Sequence, residues 1–413
     1  MKELQNILKI FEQNKNYGQS IALATLVKAQ GSTYRRPGAR MLMTSQGQMV
    51  GSLSGGCLEG DVFEQAQVVM DSGKPIVVQY DTMSDDDIIW GLGLGCNGIV
   101  QILIERVEEE SPLTPILHHP PNLLILTKAP AYQEGNSDSK LPSPLSKGGL
   151  RGVNHLAFLA ECLHQRQAGI LATVFHVEGQ VKAEVATRLM VYPDGTLMSN
   201  IEDADLVAQI RDDAWKVLDE SRSTVKSYPL PTGKAEVFIE VIQPPVPLMI
   251  FGAGHDAVPL VHLAQELGWY ITLVDSRKVE TTRERFSSAD EVILSRPESI
   301  GNCIHINNRT MAVVMTHNYL HDLEILKILL PSPVRYLGIL GPKSRTEKLL
   351  QDLQEQEIIP TENQLQRLYS PVGLNIGADT PEEIALSIVA EIKAVLTNHS
   401  GGSLKNKLGP IHD

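Results

Sequence analysis

The feature that most constrains this chain is that it repeats itself at a fixed offset. "ALATLVKAQGSTYRRPGARMLMTSQGQMVGSLSGGCLEGDVFEQAQVVM" lies over "ILATVFHVEGQVKAEVATRLMVYPDGTLMSNIEDADLVAQIRDDAWKVL" with a spacing of 148 positions. In that register Ala24, Thr25, Gly31, Arg40, Gly47, Leu58, Ala66 and Tyr80 fall on Ala172, Thr173, Gly179, Arg188, Gly195, Leu206, Ala214 and Tyr228. Each copy reads strand, turn, strand, turn and amphipathic helix, then a last strand, "IVQILIE" or "VFIEVI". The expectation is a duplicated α+β domain.

Two copies of one fold need the same core but not the same active site, so their differences are informative. Where the first has Gly55-Gly56-Cys57, the second has Asp203-Ala204-Asp205, a polar helix start with N-cap character. The second is also about a dozen residues shorter before its last strand, which removes the counterpart of "DTMSDDDIIWGLGLGCNG" around Cys96. Both Gly-rich cysteine loops therefore belong to one copy. The halves span 1–108 and 155–244, separated by a Pro/Ser/Gly-rich insert or linker over 109–154, of which the stretch from about Ala129 to Asn154 is too polar to repay ordering.

From Pro247 the pattern changes to continuous apolar runs separated by helices: "PLMIFGAG", "YITLVDSR", "ADEVILS", "TMAVVMTHN", "VRYLGILGPKSR". Such strands are buried on both faces, which predicts a doubly wound parallel sheet of Rossmann type over 245–398, with a tail over 399–413. Overall the class is α/β. The first turn, Gly252-Ala253-Gly254-His255-Asp256-Ala257, is a G-x-G-x-x-A between strand and helix, where backbone N–H groups reach a phosphate only if no Cβ intervenes. Asp275 closes the next strand, placed to meet a ribose hydroxyl, and Arg277 follows as a partner for phosphate or for Asp290 or Glu291. Three further loops end at the same sheet edge and offer His317 and Asp322, then Lys343, Ser344 and Arg345, then Gly373, Gly377 and Asp379. Thr380-Pro381-Glu382-Glu383 reads as a helix cap.

A thiol at a helix N-terminus faces the positive end of the backbone dipole, and Cys57 fits that description, with Glu59 opposing it from the same turn. Cys96 follows three glycines. Cys162 and Cys303, flanked by ordinary apolar pattern, read as buried packing residues. Four scattered cysteines make no disulfide framework, the N-terminus lacks the apolar core of a signal peptide, and no run reaches the roughly 18 apolar residues of a spanning helix. A cytoplasmic protein is expected. A net charge of −13 without a basic, aromatic-interleaved cluster argues against nucleic acid and anionic membrane as partners.

In order along the chain, "GSLSGGCLEGDV", "WGLGLGCNG", "IFGAGHDAVPL", "LVDSR", "MTHNYLHD", "LGILGPKSR" and "GLNIGADTPEEIALSIVAEI" resemble the XdhC/CoxI accessory proteins of molybdenum hydroxylases such as xanthine dehydrogenase and carbon monoxide dehydrogenase. The likeness covers nearly all of the chain except the insert. It implies a chaperone that binds molybdenum cofactor, as molybdopterin or its dinucleotide form, supports exchange of an oxo for a sulfido ligand, and delivers it to an apo molybdenum hydroxylase. A cysteine desulfurase as sulfur donor and a homodimer are implied in the same way. On that reading Cys57 or Cys96 contacts the metal or hands over sulfur beside Gly55 and Gly56, a soft thiol suiting a dithiolene-bound metal. Gly252, Gly254, His255, Asp256, Asp275, Arg277, His317, Lys343 and Arg345 would bind the cofactor. Asn97 and the insert depart from the family's pattern. Two rivals stay open: an NAD(P)-dependent oxidoreductase with His317 as acid/base, and an interaction module that holds no cofactor.

Overall fold

The computed structural model describes residues 1–14, 20–81, 98–107, 114–115, 155–276 and 280–408. Two compact units emerge, one of Ile7–Pro244 and one of Met1–Asn6 with Pro245–Asp413.

The first unit holds both copies of the repeat. After helix α1 (Lys2–Asn14) come β1 (Ile21–Gly31), β2 (Arg40–Thr44), β3 (Met49–Gly51), α2 (Glu59–Ser72), β4 (Ile76–Asp81), β5 (Gly98–Arg106) and the short β6 (Thr114–Pro115). The second copy follows helix α3 (His155–Gln165) as β7 (Gly169–Gly179), β8 (Arg188–Val191), β9 (Leu197–Ser199), α4 (Ala204–Glu220), β10 (Thr224–Leu230) and β11 (Gly233–Ile242). Their sheets have the same antiparallel order, β3-β2-β1-β5-β4 and β9-β8-β7-β11-β10, with β6 added beyond β9. Each helix lays its apolar stripe on its own sheet. Val62, Ala66 and Val69 do so in α2, and Leu206, Ile210, Ala214 and Val217 in α4. The matched tyrosines lash strand to helix, Tyr80 donating its hydroxyl to Asp61 and Tyr228 donating to Asp213 at 3.0 Å.

Both copies carry a β-bulge at the same place. The register of β1 against β5 skips Val27, and that of β7 against β11 skips Phe175, which is position 27 displaced by the repeat. A bulge re-aims one side chain. Val27 and Phe175 meet Leu103 and Phe238 in a buried cluster that joins the copies. Around it the copies exchange charges reciprocally. Arg40 of the first forms a two-pronged pair with Glu240 of the second, one bond at 2.8 Å, and Arg188 of the second pairs with Glu105 of the first. Each arginine also donates to the carbonyl two residues upstream, Gly38 at 2.9 Å and Ala186 at 2.8 Å. Lys28 reaches across to Glu236 at 2.8 Å. His155 stands 3.8 Å from Glu105, but burial, and then the charge of Arg188, push its pKa to about 3, so it is neutral there. Buried pairs of this kind add little net stability, yet they penalise any other register of the two sheets.

The second unit is a parallel sheet built from β12 (Pro247–Phe251), α5 (Ala257–Glu266), β13 (Tyr270–Asp275), α6 (Glu280–Arg285), β14 (Glu291–Leu294), β15 (Met311–Val314), α7 (Tyr319–Leu329), β16 (Tyr336–Ile339), α8 (Lys343–Glu355), α9 (Glu362–Gln366), β17 (Leu368–Tyr369) and α10 (Pro381–Leu396). Its order is β14-β13-β12-β15-β16-β17, all neighbours parallel. Numbered from β12 this is 3-2-1-4-5-6, the Rossmann order, and it reverses direction between β12 and β15. Buried strands bear apolar residues on both faces, with Ile250 and Val313 in one cluster and Phe251 and Val314 in the other. Thr380 and Glu383 form a capping box with Pro381 in the first turn of α10, as their spacing predicts.

Candidate functional site

The loop Ser52–Leu58 is shaped by two glycines and one carboxylate. Gly55 and Gly56 hold φ of 81° and 119°, a region that side chains rarely adopt. In the second copy the helix starts at Ala204, the counterpart of Gly56, capped by Asp203 accepting from the Leu206 amide at 3.0 Å. In the first it starts three residues later, at Glu59. The glycines thus unwind Gly56, Cys57 and Leu58 from the helix. Leu53 and Leu58, at 2% and 4% exposure, anchor the unwound segment, and Cys57 between them is exposed.

Cys57 therefore precedes the N-cap residue Leu58 instead of lying within the first turn, which corrects the expectation from sequence. The positive end of α2 is met by the carboxylate of Glu59. It accepts from the amides of Leu53, Ser54, Gly56 and Leu58 at 2.9–3.1 Å and from the hydroxyls of Ser52 at 3.0 Å and Ser54 at 2.5 Å. Burial raises its pKa, but the bonds from Ser54, Leu53 and Ser52 outweigh that and bring it to about 2. The loop is an anion nest whose anion is its own side chain. Tyr34, in the β1–β2 loop, rests on it: a Cβ on Gly55 would stand 2.9–3.3 Å from three atoms of the tyrosine ring.

In the Rossmann unit a cleft of about 290 Å³ opens where the strand order reverses, lined by Gly252, Asp275, Ser276, Thr316, His317 and His321 among others. Gly252 holds φ of 117°, and a Cβ there would stand 2.5 Å from the Met315 carbonyl oxygen, so the glycine lets the loops after β12 and β15 pass. The two peptide groups flanking Ala253 are both held, its amide donating to Asp275 at 2.6 Å and its carbonyl accepting from Arg285 at 2.7 Å. Asp275 is buried, and one oxygen braces the glycine loop, a partner that the ribose reading did not anticipate. Helix geometry leaves the amides of Asp256 and Ala257, at the start of α5, without intrahelical acceptors.

His317 and Asp256 meet at 2.7 Å beside Gly254, with His317 exposed and held at φ of 57°. Arg345 is spent elsewhere: it donates at 2.7 Å to Asp322, which also accepts from Thr316, so it holds the β15 loop from behind. His255 and Lys343 are exposed, and Lys343 opens α8 outside the cleft lining. Ser276 and His321, 3.5 Å apart in the cleft, were not singled out from sequence; His321 sits in the quoted "MTHNYLHD" and was overlooked beside His317. Cys162 is buried, and burial pushes its thiol up to about 12. Cys303 was expected to be buried and is exposed. Its turn, Pro297–Asn302, anchors through Ile300, which leaves the cysteine on the outer side. Cys96 and Arg277 lie outside the described residues. Among the described residues no three His, Cys, Asp or Glu side chains group as a metal site, and no helix is long and apolar enough to cross a membrane.

A family profile described as "XdhC Rossmann domain" matches residues 248–392, and that of the "XdhC and CoxI family" matches 16–81 and 162–229, one stretch in each copy of the repeat. The chain belongs to the XdhC and CoxI family. It is 32% identical over 376 residues to a Bacillus subtilis protein named as a probable xanthine dehydrogenase subunit, covering 91% of this chain and 92% of that one. "Molybdenum cofactor insertion chaperone PaoD" of Escherichia coli is 29% identical over 115 residues, 28% of this chain and 35% of PaoD. A crystal structure described as a xanthine dehydrogenase from Bacillus halodurans superposes with a TM-score of 0.69 at 30% identity, over 96% of this XdhC-family chain and 98% of that one.

Proposed function

We propose that this XdhC-family chain carries molybdenum cofactor as cargo and delivers it to the apo form of a molybdenum hydroxylase of the xanthine dehydrogenase type, supporting sulfuration of the metal on the way. The names borne by its relatives point to this class of client and cargo. The observation that carries the reading is the exposed Cys57, set on a glycine-unwound, Glu59-braced loop that the second copy replaces with a capped helix start. A fold that needed only packing would have kept the helix in both. An exposed thiol suits a soft metal. The amides at the start of α5 and the cleft of the same unit suit a phosphate-bearing group, in the mononucleotide or the dinucleotide form. On this reading a cysteine desulfurase supplies the sulfur.

The test is anaerobic titration with released molybdenum cofactor, read as the molybdenum-to-protein ratio after desalting, with NAD and NADP as competitors. Near-stoichiometric retention that Cys57→Ala abolishes, with thermal stability within about 0.5 kcal/mol of the parent as for an exposed position, is the expected result. A second reading, an NAD(P)-dependent oxidoreductase, draws on the Rossmann strand order and the His317–Asp256 pair. Tight nicotinamide binding without molybdenum retention would favour it.

A further inference from the structure

Glu59 occupies the amides of the Cys57 loop, so an anionic ligand drawn to that thiol must find its positive charge elsewhere. The neighbouring β1–β2 loop carries basic residues. Its sequence runs Tyr34-Arg35-Arg36, and Arg36 is exposed. Tyr34 has one part of its ring against Gly55 yet is 60% exposed, the one exposed side chain among the Phe, Tyr and Trp of the described residues. On its other side the same loop packs on β5, where a Cβ on Gly98 would stand 2.8 Å from Thr33 Cγ2 and 2.9 Å from the Ser32 carbonyl. The loop is thus held by glycines on two sides, with an aromatic ring left open to solvent.

The second copy again provides the control. At the positions of Tyr34, Arg35 and Arg36 it has Lys182, Ala183 and Glu184, and at those of Gly55, Gly56 and Cys57 it has Asp203, Ala204 and Asp205. Over these six positions the first copy carries two positive charges and no negative one, the second one positive and three negative. Joint residues such as Arg40 and Arg188 are meanwhile kept. Ring, basic charge and thiol come and go together, as parts of one site do.

We infer that the β1–β2 loop of the first copy is the docking platform of the Cys57 site for a planar, anionic heteroaromatic ligand of the pterin class, its ring stacked on Tyr34 and its negative charge beside Arg36. The inference rests on the cargo reading above and names the residues that would position that cargo. Stacking on an aromatic face and pairing with a guanidinium are the two interactions such a ligand offers.

The test uses the full chain and a fluorescent probe, a pterin with a phosphomonoester side chain, compared with the same pterin lacking phosphate, and with inorganic phosphate as competitor. The parent protein quenches the probe and binds the phosphorylated form more tightly. Tyr34→Ser weakens both pterins by roughly 5- to 150-fold, the range for a heterocycle stacked on an aromatic side chain, and Tyr34→Phe restores binding. Arg36→Gln weakens only the phosphorylated probe, about tenfold, and flattens its salt dependence. Glu184→Gln, the matching position of the second copy, changes neither. Unchanged affinity in both Tyr34→Ser and Arg36→Gln, or no binding of the probe by the parent, overturns the platform. Failure of the cargo reading would appear separately, as a chain that binds the pterin but retains no molybdenum.

Discussion

Replacing Glu59 by glutamine keeps the shape of the side chain that closes the cysteine loop but removes its charge and turns one acceptor into a donor. The amide group would then point N–H at the N–H groups of Leu53 and Ser54 or of Gly56 and Leu58. The drop of the carboxyl pKa from 4.5 to about 2 corresponds to roughly 3 kcal/mol at about 1.4 kcal/mol per tenfold. Solvent reaches this part-exposed group and screens it, so the expected loss is about 1–2 kcal/mol at pH 7. Hydrogen exchange of the peptide spanning 52–58 reads it directly, as opening that is roughly 5- to 30-fold more frequent. The pH dependence has a fixed sign. A carboxyl whose folded pKa is depressed stabilises above its unfolded value, so the gap between parent and Glu59→Gln is full at pH 6 and above. It shrinks below about 4.5 and fades toward about 2. Equal exchange in the two proteins at pH 7, or a gap that widens as pH falls, would refute the assignment of Glu59 as the anion of its own nest.

The other expectations concern the scaffold. Gly252→Ala would drive a Cβ to 2.5 Å from the Met315 carbonyl oxygen at a φ of 117°, and should destabilise the Rossmann unit by about 2–4 kcal/mol in thermal melts. Loss of ligand binding in that variant would report on the fold, whereas the Cβ of Gly254→Ala meets side chains and not backbone, Asp256 at 2.2 Å and its partner His317 at 3.7 Å. Arg40→Met leaves Glu240 buried without its cation and should cost about 3–5 kcal/mol in denaturant unfolding, while Arg40→Met combined with Glu240→Leu should recover most of it. A double variant as unstable as the single one would show that the pair is not the source of the loss.

Repetition made the architecture readable. Core positions and the Arg40/Arg188 match survive because both copies must bury the same face, and β1 and β7 do begin 148 positions apart. The bulges at Val27 and Phe175 left no trace in residue type, since a one-residue slip in register is decided by packing between sheets. Arg40 and Arg188 were visible as matched residues, but their pairing with Glu240 and Glu105 crosses from one copy to the other, and offset alone cannot show that. Glu59 was visible as a charge in the first turn; that it faces back to collect four amides depends on how far the glycines unwind the helix. Asp275 stood at the end of its strand as expected, with a partner, Ala253, set by the closeness of two loops. A single tyrosine before two arginines is too short to register as a patch, and it acquires meaning only through its contact with Gly55.

The reciprocal Arg40–Glu240 and Arg188–Glu105 pairs have a consequence for how this molecule could diverge. In a symmetric assembly of identical protomers every change at a site is made in all of them, and so is every cost of keeping that site strained or exposed. Here the two partners are covalently one chain, written at separate stretches of the same gene, and the joint between them is what both have preserved. The second copy is free to trade a presented thiol for a well-capped helix because its remaining duty is to complete its twin. The protein therefore carries one Cys57-type loop per chain where its internal symmetry would have offered two.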